Sequence, residues 1–528
     1  MSDELTRLPA FKLAALIRAR AVSPVEVLEA HLRRVERLNP ALNAVVTHAP
    51  DAFERAREAE RALMHGGARG LLQGVPVTIK DTIDVAGLPA LAGSKARAGY
   101  VPATDAPSVA FLKEAGAIVI GKTNTSELAL DYTTDNPVYG HANNPHDLAR
   151  TSGGSSGGCA SAVAACLAAA GVGSDLAGSI RIPAHFCGIA GLKATAGRVS
   201  GVGHFPLMPA PYDRDENIGP LARTVEDLGL LFAVLTGDAF RLGGEELEVR
   251  RAAARAGLKG LRAAWYASDG RVPVTPETRE AVKRAAEALR TAGLTVEESR
   301  PPCVEGATEL WQSVFSRVTD ETVASIYEGR EEEAGPLARA LLRRAAESKR
   351  SPREDGKKEA RRVDEQETLA EREQRIWAER GRLRAELLRW MERTPILVVP
   401  VGAVAAFKHE EARRVEVGGQ AVNTFRAFSY AQAFNVFDLP AVSVPAWRTG
   451  AGLPVGVQIV GRPFEEESVL AAARVVEEAL GGWQPPPAPF GTADASDSTT
   501  NSSGDTADSS NDPAASSGDP ADSSKCGR

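Results

Sequence analysis

The residues best suited to chemistry in this 528-residue chain lie between Thr151 and Ser179. The stretch reads TSGGSSGGCASAVAACLAAAGVGSDLAGS and continues as IRIPAHFCGIAGLKAT. Gly153 to Gly158 (GGSSGG) is a small-residue turn whose glycines take backbone angles closed to residues with a Cβ. It presents the Ser155 and Ser156 hydroxyls, with backbone amides, at the start of a helix. A second turn, Ser174 to Ser179, places a hydroxyl after Asp-Leu-Ala-Gly, where a row of N–H groups can surround a developing oxyanion. Taken alone, GGSSGG reads as a flexible linker. The residues downstream argue otherwise: Cys159 to Ala170 is almost wholly Ala, Val, Leu and Cys, which predicts a helix buried on all sides.

Two other motifs compete. Gly116 to Thr123 (GAIVIGKT) matches the P-loop pattern letter for letter. A phosphate cradle needs a loop after a strand, whereas here the residues between the glycines are themselves the apolar strand. Gly153 to Gly157 also satisfies GxSxG, the nucleophile elbow. That elbow follows a buried strand, while Asn143 to Arg150 reads as a polar loop. The elbow also needs a late histidine base, and His409, the only one after His204, sits in the charged run Lys408 to Glu411.

Together, GGSSGG, GSDLAGSIRIPAHFCGIAGLKAT, Val77 to Asp81 (VTIKD) and Gly452 to Phe464 (GLPVGVQIVGRPF) resemble the amidase signature family of serine hydrolases. In order and spacing the resemblance spans roughly Phe11 to Leu480. It implies Ser179 as nucleophile, Ser155 as a bridging hydroxyl after a cis Gly154–Ser155 peptide, and Lys80 as base. Burial of Lys80 at the end of a strand would disfavour its ammonium and lower its pKa. A surface lysine paired with Asp81 or Asp84 is the bland alternative, and the two serine turns weigh against it. The resemblance further implies an oxyanion hole from the amides of Leu176, Ala177, Gly178 and Ser179, and supporting roles for Ser156, Asp175 and Arg181. Many members carry glycine where this chain has Ala177, which keeps the N–H but narrows the backbone angles.

The implied activity is hydrolysis of a small-molecule carboxylic amide through an acyl-enzyme, without cofactor or metal. The A subunit of a glutamyl-tRNA amidotransferase, a glutaminase supplying ammonia, is the alternative. Ile182 stands where that class typically has glutamine, and Thr133 to Pro137 (TTDNP) departs from its STENS pattern. A non-catalytic scaffold is opposed by the joint presence of Lys80, Ser155 and Ser179.

Composition agrees. The chain is 43% hydrophobic and 25% charged, as a soluble globular protein is. No apolar run approaches the ~20 residues needed to span a bilayer. The start MSDELTRLPAF lacks a signal-peptide core, so a cytoplasmic location is expected. Five scattered cysteines fit neither a disulfide framework nor a zinc site. Of the net charge of −7, most lies in seven aspartates after Phe490, so the remainder is near neutral and nucleic acid is an unsuitable partner. The expected partner is a small-molecule amide, with no membrane and with a homodimer left open.

These residues need a scaffold. Helices are expected over Leu8–Arg20, from Ser23 and Pro24 as N-cap and N1 to about Leu38, and over Asp51–His65. Strands at Val75–Lys80 and Ala117–Ile120 flank a helix starting near Pro107. Further strands are expected at Leu261–Ala267, near Leu294, and at Ile396–Val401, Ala441–Val444 and Gly456–Val460, with helices at Glu277–Ala292 and Glu466–Leu480. The expected fold is α/β, one large domain over residues 1–484 with a central mixed β-sheet surrounded by helices. It includes N-terminal helices over 8–66 and a charged helical insertion over about 303–394. Residues 485–528, rich in Ser and Asp with an SSGD repeat, read as a disordered tail.

Overall fold

Val77-Thr78-Ile79, Ile118-Val119-Ile120 and Ile396 to Val399 are the β-branched, fully buried runs that a sheet covered on both faces requires. In the computed structural model, which describes residues 2–67, 70–212, 216–349 and 368–491, each of them is a strand. The strands in chain order are β1 Val45–His48, β2 Pro76–Lys80, β3 Ile118–Thr123, β4 Asn143–Asn144, β5 Asp147–Thr151, β6 Ala170–Asp175, β7 Ala190–Lys193 and β8 Asn217–Ala222. They continue as β9 Arg262–Trp265, β10 Thr295–Glu298, β11 Ile396–Pro400, β12 Arg414–Val417, β13 Gln420–Asn423, β14 Ala441–Arg448 and β15 Pro454–Val460. Among the described residues one sheet holds eleven of them, in the order β1-β3-β2-β6-β8-β7-β14-β15-β11-β9-β10. It is mixed: β3, β2 and β6 run parallel, as do β11, β9 and β10, and the strands between are antiparallel. The expected α/β class with a central mixed sheet surrounded by helices is the observed one.

Local chemistry explains the elements. Ser23 caps the helix Pro24–Leu42: its Oγ accepts from Val25 N at 3.0 Å, and its own N–H donates to Glu26 at 2.8 Å. GAIVIGKT lies in and just before β3, and Lys122 is buried with Nζ donating to the Ile83 carbonyl at 2.6 Å, so no phosphate loop forms there. The closing helix spans Glu466–Leu480.

Several expectations need correction. The apolar helix runs only from Gly157 to Ala164. Cys166 takes a left-handed φ of 58°, ending the helix so that Ala170–Asp175 can enter the sheet as β6 between β2 and β8. Asn143 to Arg150 is not a loop; it forms the antiparallel hairpin β4–β5, separate from the main sheet. Strand β8 escapes a propensity reading because it contains Gly219 and Pro220. That glycine is required, since a Cβ there would lie 2.2 Å from the Leu192 carbonyl oxygen.

The helices Ala307–Ile326, Pro336–Lys349 and Leu369–Met391 occupy the charged insertion, whose residues 350–367 lie outside the described set. The first helix is no solvated rod: Leu310, Trp311, Val314, Phe315 and Val318 are buried along one face. The globular chain also continues past Pro485, since Phe490 is buried and its carbonyl accepts from Arg34. The rest of the expected disordered tail, 492–528, lies outside the described residues. Among those residues no helix is long and apolar enough to cross a membrane.

Two features hold the serine turns. Gly158, in the first turn of its helix, lies against backbone: a Cβ there would lie 2.5 Å from both Asn124 N and Asn124 O. At the end of β6, the buried Asp175 accepts from Gly178 N at 2.7 Å, Ile180 N at 3.1 Å, and both Nε and Nη2 of Arg181 at 2.9 Å. Burial acts to raise the Asp175 pKa, but the Arg181 guanidinium and the Asn435 amide outweigh it and hold the carboxyl well below its usual range.

Gly158→Ala should cost about 1–3 kcal/mol by overpacking, whereas Gly381→Ala, exposed inside the helix Leu369–Met391 with open space around it, should stabilise by about 0.5–1 kcal/mol. Urea titration measures both. Asp175→Asn should cost about 3–5 kcal/mol at neutral pH, because Arg181 stays buried and uncompensated. A depressed folded pKa stabilises above the unfolded value near ~4 and loses that stability as pH falls. The gap between wild type and Asp175→Asn should therefore be full at pH 6 and shrink below about pH 4.

Candidate active site

Strands β2 and β6 are parallel neighbours, with Val77 opposite Ala170 and Ile79 opposite Val172. Their carboxyl ends therefore deliver Lys80 and Ser174 to the same place, the usual position of a site in an α/β sheet. The loop after β5 brings Ser155 over that point, and the loop after β6 brings Ser179. Lys80 is fully buried, and its Nζ lies 2.7 Å from Ser155 Oγ and 2.8 Å from Ser174 Oγ. The Gly154–Ser155 peptide is cis.

Ser156 ties the two turns together. Its N–H donates to the Ser179 carbonyl at 3.1 Å, and its Oγ lies 3.3 Å from both the N and the O of Ser174. Small residues on β6 make this approach feasible, since a Cβ on Gly173 would stand 2.6 Å from Ser156 Oγ. Ser155 Oγ and Ser179 Oγ are not hydrogen-bonded to each other. Ser179 instead faces a cavity of about 250 Å³, together with Leu176, Ala177, Tyr132, Trp311 and Phe425.

Burial lowers the Lys80 pKa, against the opposing pull of the Glu216, Cys159 and Asp175 charges. Glu216 is pushed up by the same burial, with Lys80 opposing. Behind the lysine, His204 Nε2 lies 2.9 Å from Ser174 Oγ, and burial brings the imidazole down to about 3, so it is neutral at physiological pH. Its Nδ1 lies 3.4 Å from the Pro206 carbonyl, and its Nε2 also lies 3.5 Å from the Glu216 carboxylate, which is itself hydrogen-bonded to Ser174. Ser174 Oγ accepts from Lys80 Nζ at the centre of this cluster.

Gly178 carries the left-handed turn of the Ser179 loop, at φ 114°, and Ala177 does not have a positive φ. An alanine at 177 therefore fits without strain. The Gly178 amide, expected among the oxyanion donors, is taken by Asp175. The amides of Leu176, Ala177 and Ser179 hold no acceptor among the described residues. Arg181 additionally donates to the Ala431 carbonyl at 3.0 Å and to Gln458 Oε1 at 2.8 Å, anchoring this loop to β15.

Sequence reasoning missed Ser174, His204, Glu216, Tyr132 and Trp311. Only Ser174 had a local signal, two residues after the apolar half of β6 and next to Asp175. The others arrive from distant segments. Among the described residues no cluster of His, Cys, Asp and Glu suits a metal ion.

The Amidase family model matches residues 26–470 of this chain. An indoleacetamide hydrolase of Bradyrhizobium diazoefficiens is 34% identical over 89% of this chain and 86% of its own length. The glutamyl-tRNA(Gln) amidotransferase A-type subunit of an Anaeromyxobacter species is 32% identical over 92% of this chain and 99% of its own. A crystal structure of an amidase, 29% identical, superposes with a TM-score of 0.75 over 90% of this chain and all of that one. With a buried lysine between two hydroxyls and a second serine beside an apolar cavity, the chain belongs to the amidase signature family, whose hydrolases cleave carbon–nitrogen amide bonds.

Proposed function

We propose that the protein hydrolyses a small carboxylic amide bearing a flat apolar acyl group, through an acyl-enzyme on Ser179. The observation that carries this reading is Lys80 Nζ, buried and 2.7 Å from Ser155 Oγ, one turn away from a cavity-facing Ser179. Neutral Lys80 draws the Ser155 proton, Ser155 draws that of Ser179, and Ser179 Oγ attacks the amide carbon. The hydrogen bond between the two serines forms as substrate seats, as catalytic contacts often tighten only in the complex. The oxyanion is met by the Leu176, Ala177 and Ser179 amides. As the C–N bond breaks, the proton returns from Lys80 through Ser155 to the leaving nitrogen. Water then releases the carboxylate by the same path in reverse roles.

The acyl preference comes from the cavity. Trp311 and Phe425 stand with ring centroids 5.3 Å apart, and Tyr132 stacks on Phe425 at 5.8 Å. Leu337 and Leu341 extend this apolar lining. Aromatic walls favour aromatic guests in offset or edge contacts. The similarity to an indoleacetamide hydrolase points the same way. We place the reaction in the cytoplasm, supported by the free buried thiols Cys159, Cys166 and Cys187.

A second reading, release of ammonia from glutamine for a partner protein, has its own support. Asp131 and Arg413 line the same cavity and carry the charges that an α-ammonium and an α-carboxylate require. The similarity to the amidotransferase component agrees with it. A panel of aryl acetamides and aliphatic amides set against glutamine separates the two: faster turnover of glutamine would overturn the aryl preference.

Ser179→Ala should lower kcat by about 10⁴-fold or more, and mass spectrometry should find the acyl adduct on Ser179 of the wild type. An adduct on another residue would remove the assignment. Lys80 works as the neutral amine, so its lowered pKa puts the rise of kcat/KM with pH below the range of an ordinary lysine. Activity should be lost as pH falls and Lys80 gains its proton, and Lys80→Met should abolish both the rate and that limb.

A further inference from the structure

The helix Ala307–Ile326 of the charged insertion reaches the nucleophile loop directly. Trp311 Nε1 donates to the Leu176 carbonyl at 3.1 Å. From the opposite segment, Tyr132 Oη donates to the Ala177 carbonyl at 3.0 Å. Both rings are nearly buried, and both form the wall of the cavity that opens on Ser179. The Tyr132 hydroxyl is itself held by Gln432 Nε2 at 2.8 Å, and the same amide group donates to the Phe425 carbonyl at 2.9 Å.

A peptide unit is planar, so fixing its carbonyl fixes the N–H of the next residue. Trp311 thereby sets the Ala177 N–H. Tyr132 sets the peptide joining Ala177 to Gly178, whose N–H is held from the other side by Asp175. These two peptides carry or adjoin the proposed oxyanion donors, and donors are effective only when aimed before charge develops.

We infer that Trp311 and Tyr132 are positioning residues for the oxyanion loop, so that the side chains that pack the acyl group also aim the donors that stabilise its transition state. The inference rests on Ser179 as the nucleophile and gives the insertion helix a part in the reaction. An acyl group that fills the space against both rings holds them against the two carbonyls, and its fit then raises kcat as well as lowering KM. An acyl group too small to reach them gains neither. Phe425, stacked on Tyr132 and in contact with Trp311, completes this wall from a third segment.

The test uses Tyr132→Phe and Trp311→Phe, which keep an aromatic ring and remove the donor. Phenylacetamide serves as substrate, benzylboronic acid as a tetrahedral mimic that bonds to a serine oxygen, and phenylacetate as a ground-state mimic. Each variant should lose about ten- to a hundredfold in kcat and in boronate affinity, while phenylacetate affinity and KM stay within about twofold. Unchanged boronate affinity in both folded variants, or a loss shared equally by boronate and phenylacetate, would overturn the inference. Thermal melts identify a variant that fails to fold, and the other variant then decides. The parent reading fails separately, if the wild type forms no tetrahedral boron signal by ¹¹B NMR or if Ser179→Ala retains it.

Discussion

An amine buried without a full countercharge is the constraint on which the rest of this structure turns. Lys80 sits at the end of a fully buried strand with two hydroxyls against its nitrogen. In water an ammonium is strongly preferred; here burial weakens that preference and brings the free base within reach near neutral pH. Two hydroxyls suit either form of the nitrogen, because each can donate or accept. A carboxylate in direct contact would lock the proton in place. Glu216, whose own charge burial disfavours, stands near enough to feel Lys80 without making that contact.

The second constraint is the loop that carries Ser179, and the protein treats it oppositely. Here charge is buried and fully paired: Asp175 holds the Gly178, Ile180 and Arg181 amides, and Arg181 reaches Gln458 and the Ala431 carbonyl. Such a pair adds little net stability over an apolar substitute, but it enforces one geometry. Lys80 is left poised to change its protonation, while Asp175 is held ionised. The two buried groups diverge because one has a guanidinium beside it and the other has hydroxyls.

Relatives with different named activities share this fold. The cavity wall is assembled from separate segments: Trp311 comes from the insertion helix, Tyr132 from the segment before the β4–β5 hairpin, and Phe425 from the residues following β13. The candidate site lies at the carboxyl edge of the sheet and its cavity wall in segments packed on it, an arrangement that lets one fold serve many substrates.

The sequence by itself determined the strands with continuous β-branched runs, the capped helices, and the serine turns, because each of these is set by neighbours along the chain. Val77 to Lys80, Ser23 before Pro24, and Gly153 to Ser156 carry their own local chemistry. The resemblance that joined Lys80 to Ser155 came from motif order, since no local rule links residues 75 apart. Tertiary structure decided what depends on pairing across the chain. Ala170 to Asp175 reads as helix and turn until β2 and β8 claim it as a strand. The Gly178 amide reads as an oxyanion donor until Asp175 is seen to take it. His204, Tyr132 and Trp311 have no motif at all, because each acts by a hydrogen bond to a backbone or hydroxyl oxygen far away in sequence. A contact of that kind leaves no periodicity or spacing to read, and only the folded chain brings the two partners together.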